Sequence, residues 1–281
     1  MNKLLTIVFN SYYSEKRLKN VVKNLKHFNI IIIENSLQND VKLKFEKKYS
    51  NVKVIIPKKN LGLAAGYNLG IKKAKTKFVF LNNPDIEISH SSIMKLLNYA
   101  KIIKKFGIIS PVYKNQKYHK NYGSNKNLFL KNNIHSVDWI DNNFLIDKSK
   151  IKKFLFDENY FLYFETIDFC LNLKRKGKNL YIIKNIKFEH FGSKSVDSKY
   201  DDVVKLTRAW HYNWSKFYYF KKNFNYIYAI TKILPNIYQA TRNLITNLFF
   251  FKFVCFRLNF VELYGIFSAV IGLKSFYRAK K

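Results

Sequence analysis

Cysteine is almost absent from this 281-residue chain, with Cys170 and Cys255 the only two. Two thiols cannot build a disulfide framework, so a disulfide-stapled secreted scaffold is excluded and a reducing cytoplasm is expected. Long apolar runs are also missing. No uninterrupted apolar stretch reaches the roughly 18 residues of a spanning helix, and residues 4–9 are too short for the core of a secretory leader. The protein is therefore expected to stay inside the cell. Arginine is scarce, at six of 51 basic residues. Base-reading proteins depend on arginine's bidentate fork, so no specific nucleic acid is expected. Only 18 acidic residues offset those cations, leaving a net charge of +33. Part of that charge follows from a lysine-, asparagine- and isoleucine-rich composition of the kind an AT-rich genome encodes. Lysine-borne charge also suits an anionic membrane surface, at ~1 kcal/mol per residue. A hydrophobic content of 48% excludes a disordered chain. No Ser/His/Asp or Cys/His constellation marks a covalent nucleophile.

The apolar periodicity alternates between two kinds of element. Residues 4–9, 30–33, 52–56 and 78–81 read as strands, with 180–183 and 187–189 added later in the chain. Residues 18–28, 63–75, 91–106 and 166–176 read as helices, the last two closed by Gly107 and Gly177. On the first helix Leu18, Val21, Val22, Leu25 and Phe28 share a face. Residues 113–133 read as a polar loop. Such alternation predicts an α/β domain with a largely parallel sheet. After residue 200 the texture changes. Residues 201–281 hold 13 of the 51 basic residues, three of the 18 acidic ones and 21 of the 49 aromatics. We therefore expect a domain over 1–200 and a helical, basic-aromatic region over 201–281. The tail's apolar runs at 248–251, 253–256 and 265–273 fit helices lying in a membrane interface, or helices folded back on the first domain.

Four stretches carry candidate chemistry. Asn83-Pro84-Asp85 follows a buried strand, where an acid can grip a metal-bound diphosphate. Residues 60–70 (Asn-Leu-Gly-Leu-Ala-Ala-Gly-Tyr-Asn-Leu-Gly) form a glycine-rich strand-to-helix turn of the kind that lets a phosphate or nucleotide edge approach the backbone. Glu165 and Asp168 lie three residues apart at a helix start, behind Tyr163 and Phe164, whose rings can raise a carboxylate pKa toward that of a general base. A single His190 follows the strand at 187–189. Asn10 and Ser11 end the first strand, and Glu34 with Asn35 ends the second, where ligands bind in open α/β sheets.

In order and spacing, these motifs resemble the family 2 glycosyltransferases with a GT-A fold, in particular the rhamnosyltransferase-like branch that builds bacterial surface polysaccharides. The resemblance covers roughly residues 4–195. It implies a Rossmann-like, mostly parallel mixed sheet flanked by helices. It also implies inverting transfer from a nucleoside diphosphate sugar to a lipid-linked or growing glycan, with Mg²⁺ or Mn²⁺ as cofactor. Carried over position by position, Asp85 and His190 would hold the ion. Asn10, Ser11, Glu34, Asn60, Gly66, Asn68 and Asn83 would line the nucleotide sugar, with Glu34 standing where the family has aspartate. Trp139, Asp141 and Asn142 would form the loop that meets sugar and acceptor. Glu165 or Asp168 would be the base, because Thr166 stands where the family has its central aspartate. Two rivals follow from the same residues: a non-catalytic basic protein binding membrane or nucleic acid, and an inactive nucleotide-binding homologue.

Overall fold

The computed structural model describes residues 2–115, 120–124, 128–129, 133–141, 143–151, 155–190 and 196–279. They divide into two compact units, residues 1–157 with 166–197, and residues 158–165 with 198–281.

The first unit is an α/β sheet. Its first half alternates strictly: β1 (Asn2–Ser11), α1 (Glu15–Lys23), β2 (Phe28–Glu34), α2 (Asn39–Lys48), β3 (Val52–Ile55), α3 (Gly62–Lys73) and β4 (Phe78–Asn82). Then come β5 (Ile86–Glu87), α4 (His90–Ile102), β6 (Phe106–Tyr113) and the short pieces β7 (Tyr122–Gly123), β8 (Leu128–Phe129), β9 (Ile134–Ser136) and β10 (Trp139–Ile140). The unit closes with β11 (Phe144–Asp147), α5 (Glu165–Arg175) and β12 (Asn179–His190). Strand order in the main sheet is β3-β2-β1-β4-β11-β6-β12-β9-β8, with β5 beside β12. The pairs β2–β3, β1–β2, β1–β4 and β6–β12 are parallel, and β11 runs antiparallel between β4 and β6. This mixed, mostly parallel sheet with helical cover is the expected fold. The order turns back at β1 and β4, and the carboxyl ends of strands at such a switch point form the ligand crevice of an open sheet.

Burial explains the strands. All five residues of β4 and all eight of β6 are buried, as continuous apolar runs require when both faces are covered. Leu18, Val21 and Val22 of α1, Val41 and Phe45 of α2, and Ile93, Leu96 and Leu97 of α4 join one core with Ile7, Phe9, Ile30 and Ile32. Helix α3 reaches β1 only because Gly66 and Gly70 lack side chains. A Cβ at Gly70 would lie 2.3 Å from Val8 Cγ1, and one at Gly66 would lie 2.4 Å from Asn10 Nδ2. At the end of α5, Gly177 takes a φ of +69°. Its N–H donates to Lys174 O and that of Lys178 to Leu173 O, the paired bonds of a glycine-terminated helix.

Several boundaries differ from the sequence reading, and the loop expected over 113–133 begins in β6 and contains β7 and β8. The first helix stops at Lys23, and Phe28 begins β2. Gly107 does not stop a helix; α4 ends at Ile102 and Gly107 lies inside β6, its missing side chain making room for Lys178 and Leu173. The two expected strands at 180–183 and 187–189 are one strand, β12, with a register shift between Ile183 and Lys187.

The second unit is built on α6 (Asp201–Asn223), α7 (Tyr226–Phe249) and α8 (Phe253–Val270), preceded by a short 3₁₀ turn at Ser198–Tyr200. It has its own core of Trp210, Trp214, Phe217, Ile233, Val261 and Ile266. Gly265 is required there, since a Cβ would meet the Trp210 carbonyl oxygen at 2.5 Å. Buried His211 sits 2.8 Å from Tyr277 O, and burial pulls its pKa down to about 3. The expectation that nothing in the tail is long enough to span a membrane is corrected by α8. Its 18 residues have a mean hydropathy of 1.5 and meet the length and composition of a span, although Arg257 and Glu262 interrupt them. Only a third of them are buried.

Substitution Gly70→Ala should destabilise the first unit by about 1–2 kcal/mol. Overpacking against Val8 costs ~1–3 kcal/mol, while helix propensity returns up to ~1 kcal/mol. Urea unfolding followed by circular dichroism measures the difference, and a variant as stable as the parent would contradict this close packing.

Candidate active site

The site is assembled by a tight turn. After β4 the chain runs Asn83-Pro84-Asp85, and Ile86 N–H returns to Asn83 O at 3.2 Å. Proline in the second position of that turn presets its backbone angle. The turn delivers β5 antiparallel onto the end of β12, pairing Ile86 with His190 and Glu87 with Glu189. Asp85 and His190 are thereby brought side by side, with His190 Nε2 3.4 Å from Asp85 Oδ2. Asp85 is buried and His190 is about three-quarters covered. Tyr113, at the end of β6, lies flat on the His190 ring, with centroids 5.0 Å apart and planes 9° from parallel. Burial raises the Tyr113 pKa, and the charges of Asp141 and Asp85 add to the rise, which places both acids in the field of that ring. Glu87 and Glu189 would repel across the β5–β12 pair; Lys114 offsets this through a 2.6 Å contact with Glu189.

Asn83 is fixed from two sides. Its side-chain oxygen accepts from Tyr67 OH at 2.7 Å, and its N–H donates to Asn143 Oδ1 at 3.0 Å. Tyr67 belongs to α3, so the glycine-rich segment and the Asn-Pro-Asp turn are held together by one phenol. Asn143 adopts a φ of +72° and is fully buried. Asn143 Nδ2 and Asn82 Oδ1 are buried without a hydrogen-bond partner among the described residues. The carboxyl end of β4 therefore carries polar capacity that no described residue uses.

A second cluster lies across the ends of β1 and β2. Ser11 Oγ donates to Glu34 Oε2 at 2.6 Å, and Ser36 N–H donates to Glu34 Oε1 at 2.9 Å. Burial pushes the Glu34 pKa up despite these donors. Asn10 Nδ2 donates to Gly62 O and Leu63 O at 2.8 and 3.1 Å, and Asn35 Oδ1 accepts from Leu61 N–H at 2.9 Å. Asn60 Oδ1 accepts from Gly62 N–H at 3.0 Å, where Gly62 has a φ of +72°. Asn10, Ser11, Glu34, Asn60 and Gly66 are thus brought together, largely as a scaffold that shapes the start of α3.

Asn68 has a structural partner. Its amide closes both bonds on the backbone of Phe156, at 2.9 and 3.0 Å, and it is buried. One N–H and one lone pair of the amide are thus used to hold the chain at Phe156. Trp139 pairs with Gly123 in the β10–β7 ribbon, its ring lying over the glycine. Asp141 N–H is held by Asn121 O at 2.8 Å. Asn142 lies outside the described residues.

The carboxylates of α5 are both buried. Asp168 Oδ2 accepts from Asn172 one turn on, at 3.0 Å. Glu165 opens the helix directly after Tyr163 and Phe164, whose φ values are +66° and +62°. Two consecutive aromatics in the left-handed region are strained, and such strain persists only where packing enforces it. The packing is visible: Tyr163 meets Tyr212 and Phe164 meets Tyr219, with centroids 5.6 and 5.5 Å apart. Tyr67, Tyr113 and Asn143 are site residues that the sequence reading missed. They come from a helix, a strand end and a loop far apart in the chain; Tyr67 lies within the glycine-rich motif at 60–70, while no local motif announces Tyr113 or Asn143.

No group of three or more His, Cys, Asp or Glu side chains able to hold an ion occurs among the described residues. Asp85 and His190 thus offer two ligands, which suits an ion whose other positions are filled by substrate phosphates and water.

Comparison with known proteins gives this geometry a context. Residues 4–166 match the family model described as Glycosyl transferase family 2. The rhamnosyltransferase WbbL of Escherichia coli K12 is 23% identical over 224 residues, 66% of this chain and 83% of that protein. The low-salt glycan biosynthesis hexosyltransferase Agl10 of Haloferax volcanii is 23% identical over 197 residues, 63% of each chain. Among solved structures, GalNAc-T7 with UDP, GalNAc and Mn²⁺ superimposes with a TM-score of 0.57 at 13% identity, over 83% of this chain and 57% of that one. The mannosyltransferase PcManGT of Pyrobaculum calidifontis, in complex with GDP-Man and Mn²⁺, gives 0.57 at 9% identity over 95% and 86%. At such identities the structures support the fold alone. The chain spans somewhat less than two thirds of the length of the archaeal relative and of the first structural one.

Substitution Glu34→Gln should flatten the pH dependence of stability. A raised folded pKa means that the fold is favoured while Glu34 is protonated and loses that advantage as pH rises from about 4.5 through the raised value. The parent should lose stability relative to the variant over that window, read from urea midpoints at a series of pH values. Parallel curves would contradict the burial argument.

Proposed function

Because this chain belongs to glycosyl transferase family 2, we propose that it transfers a sugar, with inversion, from a nucleoside diphosphate donor to a lipid-linked or growing glycan, the donor held with a divalent ion. The observation that carries this reading is the Asp85–His190 pair at the carboxyl end of the sheet, 3.4 Å apart in a family whose fold neighbours include Mn²⁺ complexes.

The donor set fits such an ion. One carboxylate oxygen of Asp85 and one imidazole nitrogen of His190 would hold Mg²⁺ or Mn²⁺, and manganese tolerates the imidazole better. When bound, the ion neutralises charge on the departing diphosphate. The chain's own residues do the rest. Tyr113 stacks on His190 and limits its rotation, while Tyr67 and Asn143 fix Asn83 at the base of the turn. Glu34, held by Ser11 and Ser36, sits where the family contacts the nucleoside. Trp139 and Asp141 serve the sugar and acceptor. One of the two α5 carboxylates takes the acceptor hydroxyl's proton as its oxygen attacks the anomeric carbon from the face opposite the leaving diphosphate. The strained turn before Glu165 favours that residue, because strain of this kind concentrates at functional positions. A rhamnosyl or other hexosyl donor belongs to the same proposal, supported by the named activities of the two relatives, and so do surface-polysaccharide assembly and a cytoplasmic site of action.

Two expectations follow. Asp85→Asn should abolish metal-dependent binding of nucleoside diphosphates, measured calorimetrically with and without Mn²⁺, while shifting thermal unfolding little. Normal metal-dependent binding in that variant would overturn the ion site. Of Glu165→Gln and Asp168→Asn, one should keep donor affinity and lose turnover by ~10²-fold or more. Full turnover in both would place the base elsewhere. The companion variant Thr166→Asp tests whether the departure at that position weakens the enzyme, and a large gain in turnover would mean that it does.

A further inference from the structure

The α7–α8 hairpin has an end that the fold does not use. Buried residues of α7 are Ala229, Ile233 and Ala240, and those of α8 begin at Asn259. Between them, residues 241–258 have no buried member. At ~1.5 Å per residue, the last nine residues of α7 project about 13 Å beyond Ala240. The projection is not polar. Leu248, Phe249, Phe250, Phe251, Phe253 and Val254 are all large and exposed, with Phe249 at 76%, Phe251 at 75% and Val254 at 80%. Phe251 adopts a φ of +54° at the apex, where glycine or asparagine would ordinarily serve. A loop selected only to reverse the chain in water does not need phenylalanine there.

Charge around the tip has one sign. Lys252 lies at the apex, with Arg242 and Arg257 on the flanking helices, and α7 contains no acidic residue. From residue 203 to 281 the sole carboxylate side chain is Glu262, and its Oε2 accepts from Asn259 Nδ2 at 3.0 Å. Asn259 Oδ1 in turn accepts from Asn247 Nδ2 at 2.9 Å, a polar bridge that locks the two helices just behind the tip. Rings at an apex, cations behind them and a hydrogen-bonded brace form an arrangement that matches a bilayer interface. Apolar side chains enter the acyl boundary while lysine and arginine remain among anionic headgroups.

We propose that the α7–α8 tip, residues 248–254, inserts into the interface of an anionic lipid bilayer and anchors the protein there. The occupant is lipid rather than protein because the patch is a convex, aromatic apex with a cationic collar. A second copy of this chain would bring the same collar against it. Anchoring of this kind needs two components, an apolar one that salt leaves intact and an electrostatic one that salt screens. The inference stands apart from the catalytic reading and holds whichever sugar is moved.

The full chain carries its own probe. Cys255 is exposed beside the tip, whereas Cys170 is buried with its thiol pushed up to about 12, so an environment-sensitive fluorophore labels the tip alone. With vesicles of phosphatidylcholine containing roughly 30% phosphatidylglycerol, the label should shift to the blue and be quenched by spin-labelled acyl chains. Phosphatidylcholine alone should bind more weakly, and moderate salt should reduce binding without abolishing it. In unlabelled protein, the triple variant Phe250→Ser, Phe251→Ser and Phe253→Ser should lose co-sedimentation by about tenfold or more. Its circular dichroism and nucleotide binding should be unchanged, since these side chains are exposed. A label that stays in water, or a triple variant that binds vesicles like the parent, would overturn the proposal. So would self-association through the tip, seen as a concentration-dependent mass that the triple variant abolishes, with no vesicle binding.

Discussion

The short pairing of β5 with β12 is the contact on which the candidate site depends. Two residue pairs, Ile86 with His190 and Glu87 with Glu189, join segments about a hundred positions apart in the chain. Neither side chain could reach the other without it. Asp85 is carried on a proline-set turn at the end of one central strand, and His190 is the last residue of another. The sheet supplies the spacing, because β4 and β12 are separated by β11 and β6 and their carboxyl ends need a crosspiece to meet. Tyr113 extends the same logic. It ends β6, which pairs in parallel with β12, and its ring packs edge-on against Phe188 and flat on the histidine.

Much of the first unit could be read from the sequence, because its strands are continuous apolar runs with one possible environment. β1 to β4 were legible for that reason. β6 was not: Ile102, Ile103 and Phe106 continue the helical spacing of α4, and only the burial of all eight residues from Phe106 onward shows where the helix has ended. β12 looked like two strands because Lys184 and Asn185 interrupt it, and the register shift there shows how a polar break can sit inside one strand. The ends of the motifs were harder still. Asn10 and Asn68 have the residue type and position of ligand contacts, and their amides also hold the backbone at Gly62 and Phe156. An asparagine near a glycine-rich turn satisfies buried backbone groups as readily as it meets a nucleotide, and sequence does not distinguish the two uses. By contrast, the pairing of Asp85 with His190 was legible only through resemblance. Tyr67 lay within a motif that was read, but its bond to Asn83 and the role of Asn143 were not legible, since both act between segments far apart in the chain.

The tail shows the reverse balance. Its helical character was read from spacing without the bounds of any helix, and the run at 248–251 covers the turn between α7 and α8; its core of Trp210, Trp214 and Phe217 shows that many of those rings serve packing within the unit itself. What the sequence could not separate was the buried ring from the exposed one. Composition made residues 201–281 look uniformly aromatic and basic. The structure concentrates the exposed rings of residues 248–254 at one hairpin apex and leaves Tyr212 and Tyr219 to brace the strained turn before Glu165. One aromatic-rich region thus holds two distinct kinds of surface.

The central claim is that Asp85 and His190 act on one ion as a unit. A double-mutant cycle on Mn²⁺ affinity in the presence of a nucleoside diphosphate, with Asp85→Ala, His190→Ala and the double variant, measures this directly. Residues that share a ligand should be coupled, so the double variant should lose clearly less than the two single losses combined, by roughly 0.5–3 kcal/mol. Strict additivity, or no loss from either single change, would contradict a shared ion site and with it the reading of this sheet edge as the catalytic one.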